Sequence, residues 1–357
     1  MNKIFYIIIL SFIFSDNNLN SFSFHKFPFL VKQEISFGYE DNFMRFSDLE
    51  IDSYNFESGT VNDYFGDSKY YDSAIISPSI QIFLKPKLIK NKTNFIFKLK
   101  YNEYSSSNQK SYLFLSARSE IKLASYSWFK FSYNLVPRYY LRTFIDRDLA
   151  PLNYYLCDFS NENIYLSLSY PFLFSKTWFD LKVTLNNQFY NENFTEYDTK
   201  VYGFESYLKS NFFKRYFFSL GFLYADANNL SYDKNTQTIG TRIDRSYSKL
   251  GLFFQIKKTF KNSFISSMSF KFKANNRFYD LNSWYYEANN WKNYFEKDII
   301  IDLYKKINKK TTVQLSYKYF KRDVKSSQSN EIIWVEDYKV YDRNEFWLRF
   351  IFNFSKK

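Results

Sequence analysis

The sequence has very little cysteine and histidine, and this scarcity excludes several classes of functional site. Cys157 is the only cysteine, so no intrachain disulfide can form and a disulfide-stabilised secreted domain is excluded. His25 is the only histidine, and it lies close to a predicted signal-peptide cleavage region. Sites that need a histidine base or two histidine ligands are therefore excluded. We predict a protein that is not an enzyme and binds no metal and no cofactor, with an aspartate-based site left open.

Long apolar runs are also missing. The only apolar run of any length covers residues 4–14, whereas a membrane-spanning helix needs about 20 apolar residues. A mean hydropathy of -0.45 likewise argues against a helical membrane protein. Lys3 before this run and polar residues from Ser15 onward are typical of a secretory signal peptide. We predict a signal peptide over residues 1–22, cleaved between 15 and 22, and one domain over 23–357. A buried N-terminal strand or helix is the alternative.

Aromatic residues are abundant instead. The chain contains 34 tyrosines and 44 phenylalanines, and aromatic residues make up 24% of the sequence. A soluble surface does not need so many rings, whereas a lipid-facing band flanked by interfacial aromatic residues does. The composition therefore favours a membrane protein whose spanning elements are not helices.

Apolar and polar residues alternate along most of the chain, which is the pattern of strands with one apolar face. In residues 94–104, Phe97 and Leu99 point to one side while Lys98 and Lys100 point to the other. The same pattern predicts about 14 strands, with 12 to 16 compatible with the sequence, each near the length of a tilted membrane strand. The predicted strands cover 32–46, 73–86, 94–104, 111–123, 128–142, 162–172, 179–186, 200–210, 215–227, 246–257, 268–273, 296–305, 313–319 and 345–354.

The predicted connections alternate between long and short. Long loops on one side and short turns on the other are typical of outer-membrane barrels, and an even strand number returns both termini to the short-turn side. We therefore predict an all-β fold, a transmembrane antiparallel up-and-down β-barrel. A soluble β-sandwich also alternates its faces but has no reason to sort its loops by length. The low glycine count of 7, and Pro78 and Pro137 inside predicted strands, count against the barrel.

Two stretches resemble known outer-membrane barrels. The C-terminal sequence EFWLRFIFNFSKK resembles the last strand of such barrels, whose alternating aromatic residues are read by the barrel-assembly machinery. Phe350, Phe352 and Phe354 match that pattern, whereas the residues from Ser355 onward depart from it because the aromatic residue is usually last. Residues 35–47, ISFGYEDNFMRFS, resemble the first strand of porin-like barrels. The resemblance implies an exported protein of a Gram-negative outer membrane.

Charged residues should avoid the lipid, because an arginine or lysine at the membrane midplane costs about 2–4 kcal/mol. The inner face should therefore carry the charges that alternate with the apolar face. A basic lumen that favours anions is one interpretation, and a solvated, mutually neutralised wall is the other. The candidate lumen residues are Lys98, Lys100, Arg118, Glu120, Lys122, Lys130, Asp180, Lys182, Lys271, Lys273, Asp298, Asp302, Lys318 and Arg349.

The first long loop, 47–72, is acidic, with Lys69 as its only cation. Three interpretations are open: binding of a divalent cation, an inward-folded constriction that faces a basic wall, or a solvated loop. The last is the usual fate of a charge run. Rings toward strand ends are predicted to form interfacial girdles. They are Tyr101, Tyr104, Tyr170, Tyr224, Phe278, Tyr317 and Tyr319.

The pattern favours a passive pore for small solutes in the outer membrane. A structural, adhesion or surface-assembly barrel is the alternative, since long loops on one side suit a partner. The predicted partners are outer-membrane lipid and the barrel-assembly machinery, and the oligomeric state is open. The net charge of +13 is scattered along the chain, so no nucleic-acid partner is predicted.

Overall fold

The computed structural model describes residues 29–56, 65–86, 92–146, 153–172, 176–211, 215–233, 235–236, 240–261, 263–279, 293–325 and 339–356. These residues form fourteen strands, one α-helix and a short 3-10 helix. The strands are β1 (Phe29–Glu40), β2 (Ser73–Leu84), β3 (Thr93–Tyr104), β4 (Tyr112–Ala124), β5 (Ser127–Ile145), β6 (Tyr154–Pro171), β7 (Thr177–Tyr190), β8 (Thr199–Ser210), β9 (Tyr216–Asn229), β10 (Tyr247–Thr259), β11 (Ser267–Tyr279), β12 (Asn293–Lys306), β13 (Thr311–Lys325) and β14 (Tyr341–Lys356). The helices are α1 (Asp48–Phe56) and the 3-10 helix Glu192–Tyr197.

Each strand pairs antiparallel with its neighbours in the chain, and β1 pairs with β14 to close the sheet. Closure leaves no strand edge with unpaired backbone groups. The predicted antiparallel up-and-down barrel is confirmed, and each predicted segment contains or overlaps one observed strand. None of the described helices is both long and apolar enough to cross a membrane. The predicted signal peptide lies outside the described residues.

The first strand is shorter than predicted and the hairpin of β5 and β6 is longer. β1 ends at Glu40, because the chain then turns away from the sheet at residues 41–44. β5 and β6 continue pairing to Ile145 and Tyr154, so their connection is only 146–153. The longest connections, such as 41–72 and 230–246, lie on one side and the two-residue turn 125–126 lies on the other. The sorting by length is incomplete, because 85–92 on the short side is longer than 105–111 on the long side.

Pro78 and Pro137 lie where the sheet tolerates a missing N–H. Pro78 faces Ile35 on β1, but the pairing of β2 with β3 skips from Ile76 to Ser79. Pro137 lies in a register shift of the β5–β6 ladder, between Val136 and Tyr139. Prolines in strands are confined to such interruptions because they cannot donate a ladder hydrogen bond.

The two faces of the sheet differ sharply in character. On β7, Leu181 and Val183 are 43% and 50% exposed, whereas the preceding residue, Asp180, is 6% exposed. Successive side chains of a strand point to opposite faces, so the apolar set is the outer surface of the closed sheet. That outer surface has the apolar character that a lipid contact requires.

Candidate functional site

The inner face of the barrel is the candidate functional site, and a contact across it fixes which side chains it contains. The Lys100 ammonium on β3 lies 5.5 Å from the ring centroid of Trp347 on β14. β1 and β2 separate these two strands, so the two side chains approach each other on the concave side of the sheet. The strand registers then assign every other position to the inner or the outer face.

The registers place all of the predicted lumen residues on the inner face. Their ladder partners on neighbouring strands are mostly polar or charged, as in Glu120 opposite Lys130 and Lys182 opposite Glu205. Their part in solute passage stays a prediction. Further charged residues of the same face were not among the candidates from the sequence, although the same alternation extended along each strand would have found them. They are Lys32, Glu34, Glu40, Glu205, Lys209, Lys249, Lys257, Arg277, Glu296, Arg322, Arg343 and Glu345.

Most inner charges of β7 to β14 are paired, and we call these ion pairs the paired wall. Lys182 Nζ lies 2.9 Å from Glu205, and Lys271 Nζ lies 2.9 Å from Asp302. Asp302 is 2% exposed and also accepts hydrogen bonds from neutral side chains of β13. Further pairs are Lys209 with Asp180, Lys318 with Asp298 and Glu345, and Arg343 with Glu40 and Glu345.

Glu296 is the most heavily surrounded carboxylate of the paired wall. Arg322, Arg277 and Lys249 approach its oxygens to 2.7, 3.4 and 3.7 Å. The two guanidinium groups also lie 5.1 and 5.9 Å from the ring of Tyr294. One carboxylate therefore holds three cations on β10, β11 and β13 close to one another.

A second part of the wall is different, and we call Lys98, Lys100 and Arg349 the basic patch. Within the part of the chain that the structure describes, none of the three has a carboxylate at ion-pair distance. Lys100 and Arg349 instead lie 5.5 and 5.3 Å from the indole of Trp347. The indole Nε1 donates to Glu345, 3.1 Å away, which fixes the ring. Of the other predicted cations, Arg118 pairs with Glu120 on its own strand.

Gly38 gives the indole room to lie against the wall. It faces Trp347 in the β1–β14 ladder, and a Cβ at this position would stand 2.6 Å from the indole ring. Real Cβ atoms do not approach a ring that closely, so any larger residue displaces Trp347. The glycine therefore positions the aromatic support of the basic patch.

The residues that lead into the first loop fold into the barrel, whereas Asp48, Asp52 and Asp67 of the loop itself are exposed, so the solvated interpretation of 47–72 stays a prediction beside the constriction. Phe43, Met44 and Phe46 are at most 2% exposed. They pack against wall residues that include Tyr104 and Tyr140, on β3 and β5. Residues 41–46 were predicted as the end of β1. Their large apolar residues are closely spaced and do not strictly alternate, and this was the signal for a buried turn. Where the chain is described, no three potential metal ligands come together.

The acidic helix α1 is anchored by its own first turn and by the wall. Ser47 and Glu50 form a reciprocal cap, with Ser47 Oγ accepting from the Glu50 N–H and Glu50 Oε2 accepting from the Ser47 N–H. The other carboxylate oxygen of Glu50 lies 2.9 Å from Arg142 on β5. Arg142 also lies 5.2 Å from the Phe46 ring. The constriction interpretation of this loop therefore has a structural basis.

A second loop, residues 105–111, contacts the first loop through hydrogen bonds. The Ser107 hydroxyl and the Gln109 N–H both donate to Asp67. Lys110 is 1% exposed and donates to the carbonyls of Tyr140 and Leu141, at 2.9 and 3.2 Å. Because burial penalises the charged form, the pKa of Lys110 is lowered to about 8.

Two sets of aromatic residues were assigned to the outer face. Phe350, Phe352 and Phe354 alternate with the inward Arg349 on β14, and the Phe350 ring packs edge-on against Phe37 of β1. Their recognition by the assembly machinery stays a prediction. Tyr104 was predicted to join an interfacial girdle, and this is wrong: it is 6% exposed on the inner face, where its hydroxyl donates to Glu40.

No protein-family model and no curated protein matches this sequence. Among solved structures, the outer-membrane channel DcaP of Acinetobacter baumannii is similar with a TM-score of 0.49 and 10% identity, over 93% of this chain and 99% of that one. The anion-selective porin from Comamonas acidovorans has a TM-score of 0.42 and 9% identity, over 92% and 99%. OpdQ of Pseudomonas aeruginosa has a TM-score of 0.38 and 10% identity, over 93% and 99%. Likenesses at this level assign no function to this chain.

Proposed function

We propose that this protein is a passive pore of a Gram-negative outer membrane, through which small solutes diffuse. The observation that carries the proposal is the closed sheet with an apolar outer face and a charged inner face. Lipid contacts the first and water the second, so the barrel offers a polar path across an apolar layer.

The width of the proposed path has two determinants. Fourteen strands enclose a wider interior than eight strands, whose side chains can fill it, and a narrower one than the 16–18 strands of large aqueous porins. The buried part of the first loop, from Phe43 to Phe46, narrows the lumen further at the long-loop end. We therefore expect a conductance smaller than that of a large porin.

Two measurements on one purified, detergent-folded sample test this proposal. Unheated protein should migrate differently from boiled protein on a gel, because a closed barrel resists unfolding by detergent. The same sample should produce stable conductance steps in a planar bilayer, and the boiled sample should produce none. A mobility shift without conductance contradicts the pore and favours the structural or adhesion role that the long loops suggest.

A further inference from the structure

We propose that the basic patch is a binding site for small oxyanions with two or more negative charges, such as dicarboxylates or phosphate. This inference rests on the proposed pore function and adds a solute class to it. The site consists of Lys98 and Lys100 on β3 and Arg349 on β14, on either side of a floor contributed by β1 and β2.

The floor of the site contains three serines and one carboxylate, Glu34, which faces Ser79 in the β1–β2 ladder. Arg349 faces Ser36 in the β1–β14 ladder, Ser36 faces Ser77 on β2, and Lys100 faces Ser79. The three serines are at most 7% exposed. The serines are therefore covered by neighbouring side chains, whereas Lys98, Lys100 and Arg349 on the flanking strands are partly exposed.

Within the described residues, the three cations of the site have no carboxylate at ion-pair distance. Lys100 Nζ and Arg349 Cζ lie 5.5 and 5.3 Å from the same indole centroid, so both cations are close to one ring. A ring holds a cation through its quadrupole and leaves the full positive charge available, whereas a carboxylate would cancel it. Trp347, fixed by its hydrogen bond to Glu345 and seated over Gly38, is a rigid support for both groups.

The carboxylates nearest to the patch already have partners. Glu34 lies 3.8 Å from Lys32 and accepts a hydrogen bond from Ser36. Glu345 pairs with Lys318 at 3.0 Å and with Arg343 at 3.4 Å. Neither carboxylate lies at ion-pair distance from Lys98 or Lys100, and two or three cations around one oxyanion favour multiply charged ligands over monovalent ones.

The position of the patch makes it relevant to passage. Trp347 also packs against the buried cluster of the first loop that contains Phe43 and Phe46. Arg349 lies one inward position further from the long-loop end than Trp347 along β14. A solute that has passed the first loop therefore meets the basic patch next.

The test is block of the potassium chloride current in planar bilayers by succinate and by inorganic phosphate, with acetate as the monovalent comparison. We expect the wild-type protein to pass chloride in preference to potassium and to be blocked by both dianions more strongly than by acetate. Lys100→Gln should weaken the dianion block about tenfold, because a charge-assisted contact is lost.

Lys182→Gln is the matched control, because it removes the same charge from the same face but from a cation that is paired with Glu205. It should change the dianion block less than about twofold, since Lys182 is already neutralised. Heat-modifiable migration confirms that each variant is folded, and Lys98→Gln and Arg349→Gln serve as second variants if Lys100→Gln does not fold.

Equal effects of Lys100→Gln and Lys182→Gln overturn the site, as does a wild-type pore that prefers potassium or is blocked equally by acetate and succinate. Block by succinate alone or by phosphate alone supports the site and identifies its ligand. Absence of any conductance contradicts the proposed pore itself, which distinguishes that failure from a failure of this inference.

Discussion

The paired wall and the basic patch contain the same kinds of side chain on the same inner face, with different partners. Lys182 meets Glu205 because the register of β7 and β8 places them opposite each other. Lys98 faces Gln81 and Ser116 on its two neighbouring strands. Position on the inner face is set by alternation along a strand, but the partner is set by pairing between strands. We therefore expect the paired wall to contribute to stability and the basic patch to contribute to solute selection.

The largest effect expected from this difference concerns Glu296. Glu296→Gln keeps the shape of the side chain but leaves Lys249, Arg277 and Arg322 without their shared carboxylate. Glu296 is 5% exposed, and removing one member of a buried ion network costs about 3 kcal/mol of the free energy of unfolding. Urea unfolding in detergent micelles, followed by tryptophan fluorescence, measures the change. If Glu296→Gln lowers the free energy of unfolding no more than Lys100→Gln does, the paired wall contributes no more to stability than the basic patch.

Lys110 differs from the cations of both the paired wall and the basic patch, because it is buried, donates to backbone carbonyls and lies outside the strands. Its pKa is lowered from 10.5 to about 8 by burial, so between these values the unfolded chain holds a proton that the folded chain has released. Stability from this residue therefore rises with pH in that window. We expect the free energy of unfolding of the wild type, relative to Lys110→Met, to increase by about 2 kcal/mol from pH 7 to pH 10. A difference between the two proteins that is independent of pH would contradict this assignment.

Gly38 tests whether the aromatic support matters to the basic patch. Gly38→Ala places a Cβ against Trp347, so the indole must move and its contacts with Lys100 and Arg349 change. Overpacking at such a site costs about 1 kcal/mol or more. Gly251→Ala, on β10 away from the patch, is the comparison. Gly38→Ala should weaken the succinate block of the pore current, and Gly251→Ala should not.

The sequence predicts the architecture well because a strand reveals its faces within its own residues. Lys98 and Lys100 alternate with Phe97 and Leu99, and the structure places the two pairs on opposite faces. The partners of an inner residue lie on strands far along the chain, as Arg343 and Glu40 do. Alternation does not give the register between such distant segments. The ion pairs of the paired wall and the absence of ion pairs in the basic patch were therefore not predictable.

The contacts of the first loop could not be predicted for a related reason. Its many carboxylates indicate a solvated segment, but Phe43, Met44 and Phe46 just before them are buried against the wall. The Ser47–Glu50 cap and the ion pair of Glu50 with Arg142 show how an acidic segment can also bind a wall. The contacts come from β5, so composition alone did not distinguish the constriction from the solvated loop.

The smallest expected effect is the most direct test of the comparison. Lys98 has no carboxylate at ion-pair distance in the described residues, and the charges that act on it are those of Glu34, Lys32, Arg349 and Arg118. Lys98→Gln therefore loses no ion pair, and the attraction of Glu34 and the repulsion of the three cations oppose each other, so the free energy of unfolding should stay within about 0.5 kcal/mol of the wild type. Lys182→Gln breaks a pair whose ammonium is 26% exposed and should cost about 1 kcal/mol. Urea unfolding of the two variants in parallel measures both changes. If Lys98→Gln is the more destabilising of the two, the basic patch stabilises the fold, which contradicts the expectation that its cations serve solute selection and not stability.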